Sequence, residues 1–89
     1  MRSRTTPRFR RAFGKLPRRI QQQAREAYEL FLNSPDHPSL RLKRIHSARD
    51  IFSVRITRAY RALGVREGDL MIWFWIGSHD EYDALIKEM

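Results

Sequence analysis

Among the side chains of this 89-residue chain whose types hold phosphate or move protons, the candidates for chemistry are Lys43, Arg55, Arg61 and His79. Phe52, Val54 and Ile56 alternate with Ser53, Arg55 and Thr57, and Leu40 and Leu42 alternate with Arg41 and Lys43. A period of two sends neighbours to opposite faces of a sheet, so Lys43 and Arg55 should face away from the apolar rows. Arg61 is out of phase with Tyr60 and Ala62, but its face depends on a hairpin register that the sequence leaves open. Gathered on one concave face, the three cations would bind two or three phosphate groups and stabilise a phosphorane-like transition state. Pairing with Asp50, Glu67 or Asp69 would instead neutralise them.

His79 stands in Ile76-Gly77-Ser78-His79-Asp80-Glu81-Tyr82-Asp83. A histidine where a strand ends and a helix starts suits proton transfer, because its ordinary titration range lies near neutrality. The acids around it would orient the ring. Tyr82 is a candidate to stack on a base, with packing under the sheet as the alternative. His37 and His46 have no partners at metal-ligand spacing, so neither a metal nor another cofactor is expected. There is no glycine-rich phosphate loop and no G-x-S-x-G elbow, which leaves nucleotide hydrolysis and serine chemistry without support.

The elements that must position these residues follow from periodicity and punctuation. Thr6-Pro7 starts a helix carrying Phe9, Ala12, Phe13 and Leu16 on one face. Pro17 restarts the pattern, and Ile20, Ala24, Ala27, Tyr28 and Phe31 form the apolar stripe of a second helix ending near Asn33. Strands are expected around Leu40–Lys43, over Phe52–Thr57, over Tyr60–Val65 and over Leu70–Ile76, with Gly77 ending the last. Leu70–Ile76 is apolar on both faces, as in a covered central strand. Strict alternation would put Met71, Trp73 and Trp75 on one side and Leu70, Ile72, Phe74 and Ile76 on the other. Either both rows are core, or an exposed Trp offers a platform for unpaired bases. Ser78 or Asp80 caps a short last helix with Tyr82, Leu85 and Ile86. The expected fold is α+β, an N-terminal helical hairpin on one face of a twisted three- to four-stranded antiparallel sheet, with a short C-terminal helix.

Charge narrows the partners. The formal net charge is +8, and fifteen of the eighteen cations are Arg, whose planar fork suits phosphate oxygens. Residues 1–25 hold nine basic groups and no acid, and residues 41–66 hold eight against Asp50 alone. Residues 67–89 hold six acids against Lys87. A polyanion or an acidic protein is therefore the expected partner. With no cysteine, thiol chemistry and disulfides are excluded. The longest apolar run falls far short of the ~20 residues that span a bilayer, so a single soluble domain over 1–89, in the cytoplasm and without membrane contact, is expected.

These residues together carry a family resemblance. Phe13-x-x-Leu16-Pro17, the long helix, Pro35-x-His37-Pro38-x-Leu40 and Lys43 resemble the first half of a RelE/ParE-superfamily toxin. Ser53-Val54-Arg55, Tyr60-Arg61-Ala62-Leu63 and Trp73-x-Trp75-Ile76-Gly77-x-His79-x-x-Tyr82-Asp83 resemble the second. The resemblance runs from about Pro7 to the C-terminal region. It implies the toxin of a type II toxin–antitoxin pair, a metal-independent mRNA endoribonuclease that acts in the ribosomal A site through attack of the 2′-hydroxyl on the neighbouring phosphate. It implies phosphate-binding roles for Lys43, Arg55 and Arg61, and a general acid or base role for His79. Tyr82 and Tyr60 become candidate substrate-binding residues. The implied partners are the ribosome, mRNA and an acidic antitoxin, with which the chain would form a hetero-oligomer.

Two departures stand out. Only Met1 to Thr6 precede Pro7, so the family's first strand is expected to be short or absent, and no Asp or Glu stands out as a general base. A ParE-like chain, which keeps this fold and inhibits DNA gyrase without catalysis, remains an alternative. So does a basic nucleic-acid-binding module without toxicity. On the antitoxin reading, the association rate with the acidic partner should fall as ionic strength rises from low to physiological salt, as read by stopped-flow mixing.

Overall fold

Three antiparallel strands form the centre of the sheet because they are the longest strands and carry its apolar rows. In a computed structural model, which describes residues 1–46 and 48–88, they are β3 (Ile51–Thr57), β4 (Tyr60–Glu67) and β5 (Leu70–Ser78). Around them lie β1 (Arg2–Thr5), α1 (Pro7–Gly14), α2 (Arg18–Asn33), β2 (Lys43–Arg44) and α3 (His79–Lys87). The strand order among the described residues is β1-β5-β4-β3-β2. The β4–β5 turn needs only two residues, because Gly68 takes a φ of +62° that follows the twist of the flanking strands.

The sheet is mixed and has five strands, where an antiparallel sheet of three or four was expected. The added member is β1, which runs parallel to β5 with Arg2 opposite Leu70 and Thr5 opposite Trp73. Its Arg-Ser-Arg-Thr sequence has no apolar alternation, since an edge strand buries little. Trp73 Nε1 donates a hydrogen bond of 2.8 Å to Ser3 Oγ, and Thr6 N donates to the Trp73 carbonyl at 3.0 Å. Thr6 then caps α1, its Oγ1 accepting from Phe9 N at 3.1 Å. Strand and helix start are thus fastened to the same tryptophan.

The segment around Leu40 also departs from the expected strand. Pro38–Leu40 forms a 3-10 turn, capped by His37 Nδ1 accepting from Ser39 N at 3.2 Å. Arg41 follows in a left-handed conformation with φ +46°, and strand pairing starts only at Lys43. Proline at the first position of that turn pre-sets the helical φ, and this outweighs a four-residue alternation. Leu40 is buried all the same.

Helices α1 and α2 cover one face. Their Ala24 and Phe31 join Leu40, Val54, Ala62, Met71, Trp73 and Ile76 in one core, with Phe9, Phe13, Phe52 and Ile56 packed against it. The presence of both Trp73 and Ile76 in that core corrects the strict alternation expected for β5. Leu63 pairs with Trp75 but Gly64 pairs with Trp73, so Phe74 is an extra residue that reverses the phase. Trp73 meets Phe31 edge-on at 5.1 Å, whereas Trp75 lies on the opposite face against Tyr82 of α3 at 6.5 Å. The short last helix therefore does not share the face of the hairpin. Gly77 does not end β5 either, because pairing continues to Ser78. No helix among the described residues is long and apolar enough to cross a membrane. Ser3→Ala should strand the buried indole N–H of Trp73 and cost about 1–3 kcal/mol, read from urea unfolding.

Candidate functional site

Register decides which side chains meet. Val54 pairs with Ala62 and Ala62 with Ile76, and all three face the helices. The next rung, Arg55–Arg61–Gly77, must therefore face the other way. Lys43 on the edge strand pairs with Ser53, two residues before Arg55 and so on that same side, and is exposed. The three cations read from the sequence as a set thus share a face, and Arg55 and Arg61 are directly opposed across β3 and β4.

Like charges directly opposite on a sheet are destabilising. Neither arginine has a carboxylate partner among the described residues, whose ion pairs are Arg2–Asp69, Arg44–Asp50 and His79–Asp83. Arg61 Nε is buried with no hydrogen-bond partner. What supports Arg61 is an aromatic face, with its guanidinium 5.3 Å from the centre of the Tyr82 ring. Two arginines opposed in register and without carboxylate partners make a rung that gains from an anion.

His79 enters by a different route. Ser78 caps α3 in a reciprocal box, its Oγ accepting from Glu81 N at 3.2 Å while Glu81 Oε1 accepts from Ser78 N at 3.0 Å. These bonds hold the Glu81 carboxyl below its ordinary range, the Ser78 backbone N–H contributing most and its hydroxyl next. His79 N donates to the Ala59 carbonyl at 2.7 Å, which ties the helix start to the β3–β4 turn. The imidazole then meets Tyr82 edge-on at 5.7 Å, and Nδ1 lies 3.1 Å from Asp83 Oδ2. His79 and Arg61 therefore rest on the same tyrosine ring.

Gly77 allows this close packing. A Cβ there would lie 2.6 Å from Cζ2 of Trp75, whose ring crosses this rung of the sheet. Tyr82 is only 5% exposed. It forms a floor under Arg61 and His79, the packed placement that the sequence offered as the alternative to base stacking. Tyr60 pairs with Thr57 and Ser78 and belongs to the alternate row from Arg61, so the register does not bring it to the cationic rung. Asp83 is the member to which no individual role was attached. Its spacing of four from His79 on a helix was the available signal.

Two hollows flank these elements. One, of about 540 Å³, is shallow and borders Arg55 together with Arg41, Ser39, Thr57 and Gln23. The other is an apolar groove of about 380 Å³ between α1, α2 and the sheet, lined by Phe9, Phe13, Tyr28 and Trp73 with Arg10 and Arg25 at its rim. It opens on the face away from Arg55 and Arg61.

The sheet with its helical hairpin and the capped C-terminal helix define a small α+β domain. Residues 18–84 match the ParE-like toxin domain family, and the chain belongs to it. No curated protein sequence matches. Among solved structures, similar folds include a chain of the RelB–RelE antitoxin–toxin complex of Methanococcus jannaschii, at 20% identity and a TM-score of 0.73, covering 90% of this chain and 95% of that one. YafQ from E. coli strain BL21(DE3) aligns at 10% identity with a TM-score of 0.74, covering 92% and 98%. A chain of the RelBE2 toxin–antitoxin complex of Mycobacterium tuberculosis aligns at 23% identity with a TM-score of 0.71, covering 88% and 96%. The fold is that of RelE/ParE-superfamily toxins.

The capping box carries an acid dependence of known sign. Glu81 is held below its unfolded range, so its contribution is full above that range and disappears as pH falls through the lowered folded value. Stability of wild type should therefore drop over that acid window more than stability of Glu81→Gln, in thermal melts followed by circular dichroism.

Proposed function

We propose that this chain is the toxin of a type II toxin–antitoxin pair and that it cleaves mRNA on the ribosome. The observation that carries the reading is the Arg55–Arg61 rung, two arginines paired in register without carboxylate partners among the described residues, with His79 resting on the same tyrosine as Arg61. In this reading Arg55 and Arg61, with Lys43 beside them, hold the non-bridging oxygens of the scissile phosphate. His79 takes the proton of the 2′-hydroxyl as its oxygen bonds to phosphorus. The bond to the 5′-oxygen breaks, and that oxygen takes a proton from solvent. The products are a 2′,3′-cyclic phosphate and a 5′-hydroxyl. Tyr82 supports both Arg61 and His79 from below rather than stacking on a base.

The antitoxin is the second partner in this reading, supported by the complexes with RelB among the similar structures. An acidic segment would be drawn to the cations of residues 1–25, and the groove between α1 and α2 offers its apolar side chains a seat. The ParE-like family match favours one alternative, inhibition of DNA gyrase without catalysis.

Inducing the chain alone and mapping the 5′ ends of cellular mRNA separates the two. The nuclease reading expects cleavage within translated codons, lowered roughly 100-fold or more by Arg61→Ala and by His79→Ala, with both variants folded by circular dichroism. Intact mRNA with a DNA-damage response would establish gyrase as the target. Toxicity and cleavage unchanged in both variants would remove Arg61 and His79 from the chemistry.

A further inference from the structure

A base at His79 needs one ring nitrogen free to accept a proton, and neutral imidazole has two tautomers that differ in which nitrogen that is. Nδ1 of His79 lies 3.1 Å from Asp83 Oδ2. An ionised carboxylate only accepts hydrogen bonds, so the neutral ring that satisfies this contact carries its proton on Nδ1. Nε2 is then the acceptor, and it has no hydrogen-bond partner among the described residues. The side chains are 42% and 48% exposed, which leaves the ring accessible to substrate.

The rest of the environment restricts the ring without choosing the tautomer. The His79 N–H bond to the Ala59 carbonyl fixes the backbone, and the Tyr82 ring, edge-on at 5.7 Å, limits rotation. Neither touches a ring nitrogen. Asp80, next in sequence, is exposed and makes no hydrogen bond to the ring, and Glu81 is engaged by Ser78. Among the described residues Asp83 alone makes a hydrogen bond to a ring nitrogen of His79.

We propose that Asp83 is a positioning residue for the cleavage reaction, holding His79 as the Nδ1–H tautomer with Nε2 free to take the 2′-hydroxyl proton. It acts through His79 and does not touch the reacting atoms. The inference rests on the nuclease reading for its consequence, but the tautomer can be read without any substrate. It also gives a role to one of the acids around His79, where no Asp or Glu stands out as a general base. That carboxylate orients the base and is not itself the base.

The test compares wild type with Asp83→Asn and Asp83→Glu. Asparagine keeps the size of the side chain and the helix, but its amide can donate to Nδ1 and so invert the tautomer. Long-range ¹H–¹⁵N correlation spectra of the free chain, taken where His79 is neutral, should show Nδ1–H in wild type and Nε2–H in Asp83→Asn. Turnover of ribosome-bound mRNA should fall about 100-fold in Asp83→Asn with KM little changed, and Asp83→Glu should recover part of both the tautomer and the rate. An Nε2–H ring in wild type, or the same tautomer in Asp83→Asn, overturns the proposal whatever the activity. An inverted tautomer with unchanged turnover overturns it too, leaving the pair as an ordinary i,i+4 helix contact. A wild-type chain that cleaves nothing yet has an Asp83-dependent tautomer overturns the nuclease reading and supports the pairing.

Discussion

The ladder that joins β3, β4 and β5 is the constraint on which the rest depends. Its rungs alternate by the geometry of the pleat, and one set of rungs is claimed by the core. Val54, Ala62 and Ile76 must face α1 and α2 because their burial is a main source of stability in a domain this small. Arg55, Arg61 and Gly77 then have only the other face. The opposition of two arginines is thus enforced by apolar burial one rung away. The electrostatic cost is carried by the hydrophobic effect, and the aromatic face of Tyr82 relieves part of it.

The same ladder contains the irregularity that makes the site possible. Phe74 is an extra residue on β5, whereas regular alternation through it would put Trp75 on the face of Trp73. The reversal keeps Trp73 with Phe31 in the core and turns Trp75 toward Tyr82. Trp75 crosses the rung at Gly77 and packs against the helix that carries His79. One inserted residue therefore serves two faces. It completes the core under the hairpin and provides the apolar backing for α3 on the other side.

Charge is distributed in keeping with this arrangement. The cations of α1 and α2 lie on the helical side, and the Arg55–Arg61 rung lies across the sheet from them. Two cationic surfaces separated by the core can meet two different polyanions. The acidic C-terminal part is committed to local work. Glu81 closes the helix cap and Asp83 contacts His79. Neither neutralises the arginines.

Local pattern alone determined a good deal. The period of two in Phe52–Ile56, the apolar stripe from Ile20 to Phe31 and the Thr6-Pro7 start are short-range signals, and each element stands where its own residues put it. The phase of Lys43 and Arg55 was equally legible, because it follows from their apolar neighbours. Arg61 could be assigned only once the hairpin register paired it with Arg55. Three features belonged to the tertiary structure. β1 pairs with residues about seventy positions away and has a polar sequence that announces no strand. The phase of β5 after Phe74 depends on which of two nearly equally apolar rows the neighbouring strand accepts. The meeting of Arg61 and His79 on Tyr82 joins a strand to a helix that starts beyond the next strand. Periodicity reports the faces of one element, whereas these contacts arise from how separate faces are brought together.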